Sequence, residues 1–69
     1  MREQVQKLWG IFSAYKEKAT KEELNKIVMF DLTLTNLYNS LEKEWNEERA
    51  ELFIKNIRFV FSILGIKED

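Results

Sequence analysis

The sequence contains neither cysteine nor histidine. The absence of cysteine excludes disulfides and thiolate nucleophiles, and the absence of histidine removes the commonest general acid–base group and a common zinc ligand. A chain of 69 residues has room for one small core, and such small domains usually need disulfides, metals or oligomerisation for stability. We therefore expect a single domain over residues 1–69 that is not an enzyme and binds no metal or cofactor.

Proline is also absent, and glycine occurs only twice, at Gly10 and Gly65. Helix formation is therefore almost unopposed along the chain. Gly10 falls inside a predicted helix, where it is either simply tolerated or allows another backbone to approach closely.

Long hydrophobic runs and a strong net charge are missing as well. No segment has the apolar length of a membrane-spanning helix, and the N-terminal residues have no uninterrupted signal-peptide core. The net charge is −1, with 45% apolar and 33% charged residues, which is typical of a folded globular chain. We expect a cytoplasmic protein that makes no contact with membranes.

Apolar residues at helical spacing and two capping signals predict three helices, over about residues 2–18, 21–45 and 47–64. Thr20 and Glu23 have the spacing of a capping box at the start of the second helix. Asn46 is a candidate N-cap of the third helix, and Gly65 is a candidate left-handed residue at its end. Since no glycine or proline lies near Asn46, the second and third helices could also form one rod.

The fold class predicted from these elements is all-α, a three-helix up-down-up bundle. Segment 28–35 alternates apolar and polar residues in a strand-like way, so we expect the second helix to be weakest there. The predicted core consists of Val5, Leu8, Trp9, Phe12, Ile27, Phe30, Leu34, Leu37, Leu41, Phe53, Ile57, Val60, Phe61 and Leu64.

The third helix has a second apolar stripe, nearly opposite the side predicted to face the core. Leu52, Asn56, Phe59 and Ile63 follow one another at spacings of 4, 3 and 4, which is the seam spacing of a helix pair. The second helix adds further apolar residues outside its core-facing stripe, namely Val28, Met29 and Leu32. Exposed apolar side chains grouped in this way often mark an interface.

We expect this surface to bind protein, and two kinds of partner fit it. In a homodimer the outer face of the third helix would contact a second copy, with Asn56 either setting the register or remaining a solvated amide. Alternatively, an amphipathic helix of another protein would bind there. The function predicted is that of a non-enzymatic interaction or regulatory module, such as a small adaptor, inhibitor or regulatory subunit.

The alternative function is that of a small nucleic-acid-binding regulator. Lys16, Lys18, Lys21 and Lys26 cluster around the turn between the first two helices and could contact a phosphate backbone. Acidic residues alternate with these lysines, which favours a solvated helix surface instead.

One carboxylate is predicted on the apolar side of the second helix. Asp31 would need a partner there, and the sequence offers Ser13, Tyr15 or Thr35 as hydrogen-bond donors. An isolated carboxylate can mark an active site, but no second carboxylate is expected beside it.

Overall fold

The computed structural model describes residues 1–68, and every regular element in this range is helical. The elements are α1 (Arg2–Lys18), α2 (Lys21–Lys26), α3 (Val28–Lys43) and α4 (Glu47–Leu64). The all-α fold class is therefore confirmed. The bounds of α1 and α4 coincide with those predicted for the first and third helices. Within residues 1–68, no helix is long and apolar enough to cross a membrane.

The predicted helix over residues 21–45 is wrong as a single element, because the chain breaks at Ile27. Ile27 has φ −114° and ψ 16°, and its amide donates to the Leu24 carbonyl three residues back. α3 then begins with the amide of Asp31 donating to the Ile27 carbonyl. Ile27 is itself buried, as the sequence predicts, so the break lies at a core position.

α3 also ends earlier than predicted, at Lys43. Glu44 and Asn46 have extended backbones, so α3 and α4 are separate helices and not one rod. Asn46 accepts a hydrogen bond from the amide of Arg49 at 2.9 Å, which satisfies one of the free amides at the start of α4. At the other end Gly65 has φ 71°, and the amide of Ile66 donates to the Phe61 carbonyl. This is the bond that defines a Schellman-type cap.

The core lies where α4 packs between α1 and α3. An aromatic cluster lies at its edge: the half-buried Trp9 and Tyr38 rings stack at 4.5 Å, and the buried Phe53 ring lies about 6 Å from both. The buried apolar residues are Val5, Leu8, Phe12, Ile27, Leu34, Leu41, Ala50, Phe53, Ile54, Ile57, Val60 and Phe61. All large apolar residues on the predicted inner side of α4 up to Phe61 are therefore buried.

One residue of the predicted core is misplaced. Phe30 was expected inside, but its side chain is 37% exposed and lies beside Phe59 on the outside of the molecule. Trp9, Leu37 and Leu64 are half-buried and pack against the core edge. Leu34 and Leu41 are the buried residues of α3, and Phe30 lies at the border of this buried side.

Candidate protein-binding surface

An open groove separates α3 from α4 on the outside of the molecule. Its volume is about 260 Å³, and its walls are Phe30, Thr33, Leu34, Asn56, Phe59 and Val60. At one end the rings of Phe30 and Phe59 meet edge to face, with centroids 6.5 Å apart. Two exposed aromatic side chains on neighbouring helices thus form one contiguous apolar area.

The outer stripe of α4 borders this groove at the middle of the stripe. Asn56 and Phe59 line the groove directly, and Leu52 and Ile63 lie on the same side of α4 because they follow at helical spacings of four. Leu52, Phe59 and Ile63 are exposed, with Phe59 at 60%, whereas Asn56 is half-buried. The stripe is therefore one wall of a two-helix surface.

The apolar residues of α3 divide between two sides. Val28 and Leu32 are each two residues from Phe30, which turns their side chains by about 200° and directs them away from the groove. Met29 is four residues from Thr33, a groove residue, and so lies on the groove side, where it is 71% exposed. The structure thus joins Met29 to the α4 stripe and separates Val28 and Leu32 from it, although both are exposed.

We call the combined surface the α3–α4 face. It comprises the groove residues together with Met29, Leu52 and Ile63. Its polar members are Thr33 and Asn56, and none of its residues is charged. Arg49 of α4 donates to the Ser40 hydroxyl of α3 at 2.9 Å and so links the two helices.

The predicted lysine cluster is divided by the structure. The Lys16 ammonium contacts the Asp31 carboxylate at 2.9 Å and lies 5.1 Å from the ring centres of both Trp9 and Phe12. It therefore holds α1 against α3. Lys18, Lys21 and Lys26 are exposed and lie outside the α3–α4 face.

The carboxylate of Asp31 has two partners. Besides Lys16, it accepts a hydrogen bond from the Thr35 hydroxyl at 3.1 Å, one of the donors expected from the sequence. A cation and a hydroxyl together satisfy a half-buried carboxylate, so its position on the apolar side is accounted for by structure alone. Among residues 1–68, no group of three or more acidic side chains converges in a way that could hold a metal ion.

A smaller cleft lies at the opposite end of α3. Its volume is about 10 Å³, which is barely enough for one water molecule. Tyr38 borders this cleft. A hydrogen bond with the Glu42 carboxylate raises the pKa of this tyrosine, and burial raises it further. Arg2 lies 5.1 Å from the Trp45 ring centre on the same border. A cleft of this size offers no ligand site.

The sequence pattern missed Phe30 and Thr33 as members of the surface. The spacing of four between Phe30 and Leu34 predicts a core position for Phe30, but a residue at the edge of an apolar stripe can belong to either side. The packing of α3 on α4 decides the matter, since it leaves Phe30 exposed beside Phe59. Comparison of the chain with protein-family models, curated proteins and solved structures found no match.

Proposed function

We propose that this chain is a non-enzymatic protein–protein interaction module, a small adaptor, inhibitor or regulatory subunit that binds its partner through the α3–α4 face. In this proposal α1, α3 and α4 act as an up-down-up bundle, and the outer side of α4 supplies the main contacts. A second copy of the chain and an amphipathic helix of another protein are the two kinds of partner that such a surface accepts.

The observation that carries the proposal is the grouping of exposed apolar side chains on one side of the molecule. Single exposed apolar residues are ordinary on protein surfaces, but contiguous ones are not. Phe30 and Phe59 are in ring contact, and Met29, Leu52 and Ile63 extend the area along both helices. Burying the exposed part of Phe59 alone would contribute roughly 1–2 kcal/mol to an association.

The size and chemistry of the groove favour protein over a small molecule. Small-molecule sites commonly enclose about 300–1,000 Å³ and aim several polar groups at the ligand. This groove is smaller at about 260 Å³, is open, and is lined mainly by apolar side chains. An open apolar groove between two helices is the usual docking place for inserted side chains of another helix.

The test is a charge placed at the centre of the face. We expect Phe59→Glu to remain folded, since the side chain is mostly exposed, and to weaken association at least tenfold, since a carboxylate would have to be buried among apolar groups. Self-association is read by light scattering over a dilution series, and capture of other proteins by immobilised chain is read by mass spectrometry. Ala14→Glu adds the same charge at an exposed position of α1 and serves as the matched control.

The comparison of the two variants decides the proposal. If Phe59→Glu and Ala14→Glu associate as the unmodified chain does, both with themselves and with captured proteins, the α3–α4 face is not a binding surface. Circular dichroism measures the helical content of each variant. Unchanged helical content in Phe59→Glu shows that a loss of association is not a loss of folding.

A further inference from the structure

We propose that the partner at the α3–α4 face is a second copy of this chain, related by a twofold axis that sets the two α4 helices antiparallel. This inference rests on the proposed function, because it names the occupant of the same surface. Three properties of the face support it: the symmetry of its spacing, its lack of charge, and its area.

The α4 stripe reads the same in both directions. Its spacings of 4, 3 and 4 are symmetric about a midpoint between Ile57 and Arg58. An antiparallel copy centred on that midpoint places Leu52 opposite Ile63 of the second copy and Asn56 opposite Phe59 of the second copy. A twofold interface requires such self-complementarity, with residue i contacting j while j contacts i.

The same register gives Asn56 a role. The two Asn56 residues lie on either side of the axis and are offset by about 4.5 Å along the helices. Their side-chain amides can each donate to and accept from the other across an interaxial distance of about 8–10 Å. The half-buried Asn56, which lines the groove, would then be satisfied inside an otherwise apolar interface.

The absence of charge also favours a second copy over a foreign helix. Interfaces between different proteins select their partner largely through complementary charges. Neither the groove nor Met29, Leu52 and Ile63 carries a charge that could select a foreign partner. For a copy of itself, an uncharged face has the advantage that no like charges are brought together within the face.

The area agrees with what a dimer of this size needs. α4 contains 18 residues, so two adjacent helices present a face of about 27 by 20 Å, or about 540 Å² in projection. Side-chain relief brings this close to the roughly 800 Å² per partner of a standard interface.

The absence of native cysteine allows the register to be tested by crosslinking. In the double variant Leu52→Cys, Ile63→Cys, the two positions of one chain are about 16 Å apart and cannot join to each other. Trypsin cleaves after Arg49, Lys55 and Arg58, so the two positions lie on different peptides. We expect mild oxidation to yield a covalent dimer in which peptide 50–55 is joined to peptide 59–67.

Light scattering of the unmodified chain should give twice the monomer mass of 8.3 kDa.

Two results would overturn the inference. Links of position 52 to 52 and of 63 to 63 would mean a parallel arrangement, and a mass of one chain at every concentration would mean that no homodimer forms. In the monomeric case the proposed function is judged separately. Capture of another protein that is lost in Phe59→Glu but kept in Ala14→Glu would retain the α3–α4 face as a binding surface and exclude only the second copy.

Discussion

At Thr20 and Glu23, two side chains complete each other's backbone hydrogen bonds. The Thr20 hydroxyl accepts from the amide of Glu23 at 3.2 Å, and the Glu23 carboxylate accepts from the amide of Thr20 at 3.0 Å. These contacts lower the pKa of Glu23 below its ordinary value of 4.5. The hydrogen bond with the Thr20 backbone has the larger effect, and the hydrogen bond with the Thr20 side chain adds to it. α2 has only six residues, so this cap is a large part of what holds it.

The lowered pKa gives the cap a defined pH dependence. The unfolded chain binds the Glu23 proton more tightly than the folded chain does. The ionised carboxylate therefore stabilises the folded state fully above about pH 4.5, and this stabilisation is lost as the pH falls through the folded-state pKa. We expect the unmodified chain to exceed Glu23→Gln in stability at neutral pH and to lose that advantage in acid, at a pH well below 4.5. Glutamine keeps the neutral hydrogen bond, so the difference isolates the charge.

Urea unfolding of both chains at each pH measures this difference, and the titration of the other carboxylates cancels between them. A difference in unfolding free energy that is the same at both pH values would show that the Glu23 charge does not stabilise the folded state.

At the scale of elements, the two glycines differ in backbone conformation: Gly10 is helical and Gly65 is left-handed. Gly10 lies inside α1, and a Cβ built there has no atom within 4 Å, so no other backbone approaches closely and the glycine is simply tolerated. Gly65 ends α4 with φ 71°, a conformation that L-residues rarely adopt. The first glycine therefore weakens its helix, and the second one terminates its helix correctly.

Substitution of each glycine by alanine should accordingly have opposite effects. We expect Gly10→Ala to stabilise the chain by about 0.5–1 kcal/mol, because it removes backbone freedom from the unfolded state. Gly65→Ala should destabilise it by about 1–2 kcal/mol, because alanine is strained in the left-handed region. Thermal and urea unfolding of the two variants measure both signs, and a stabilised Gly65→Ala would refute the role of the cap.

At the scale of the whole molecule, the same residue type serves the core and the surface from one helix. Phe53 is fully buried, and its ring packs against the rings of Trp9 and Tyr38. Phe59 is 60% exposed and lies beside Phe30. A chain of this length has a total stability of roughly 3–10 kcal/mol, so the loss of one core aromatic consumes much of it.

A pair of matched truncations tests this division. We expect Phe53→Ala to lower the unfolding free energy by about 3–5 kcal/mol, and Phe59→Ala to change it by less than about 1 kcal/mol in dilute solution. If a second copy binds at the α3–α4 face, the effect of Phe59→Ala grows with protein concentration, whereas that of Phe53→Ala does not. Equal losses from the two truncations in dilute solution would contradict the assignment of inner and outer sides to α4.

The features that the sequence determined by itself are local ones. The capping box at Thr20, the N-cap at Asn46 and the left-handed Gly65 each depend on residues within one helical turn, so spacing and side-chain type suffice to predict them. The inner side of α4 was predictable for a similar reason, since its apolar residues recur with the helical period. The bounds of α1 and α4 and the exposed α4 stripe follow from such patterns.

Only the tertiary structure decided where the chain breaks and what the α4 stripe adjoins. No glycine or proline lies near Ile27, so no residue type in the sequence marks the break there. Phe30 was within a predicted apolar stripe, and its exposure results from how α3 packs on α4. The groove is lined by residues of both α3 and α4, and the packing of residues far apart in sequence has no local pattern that could report it.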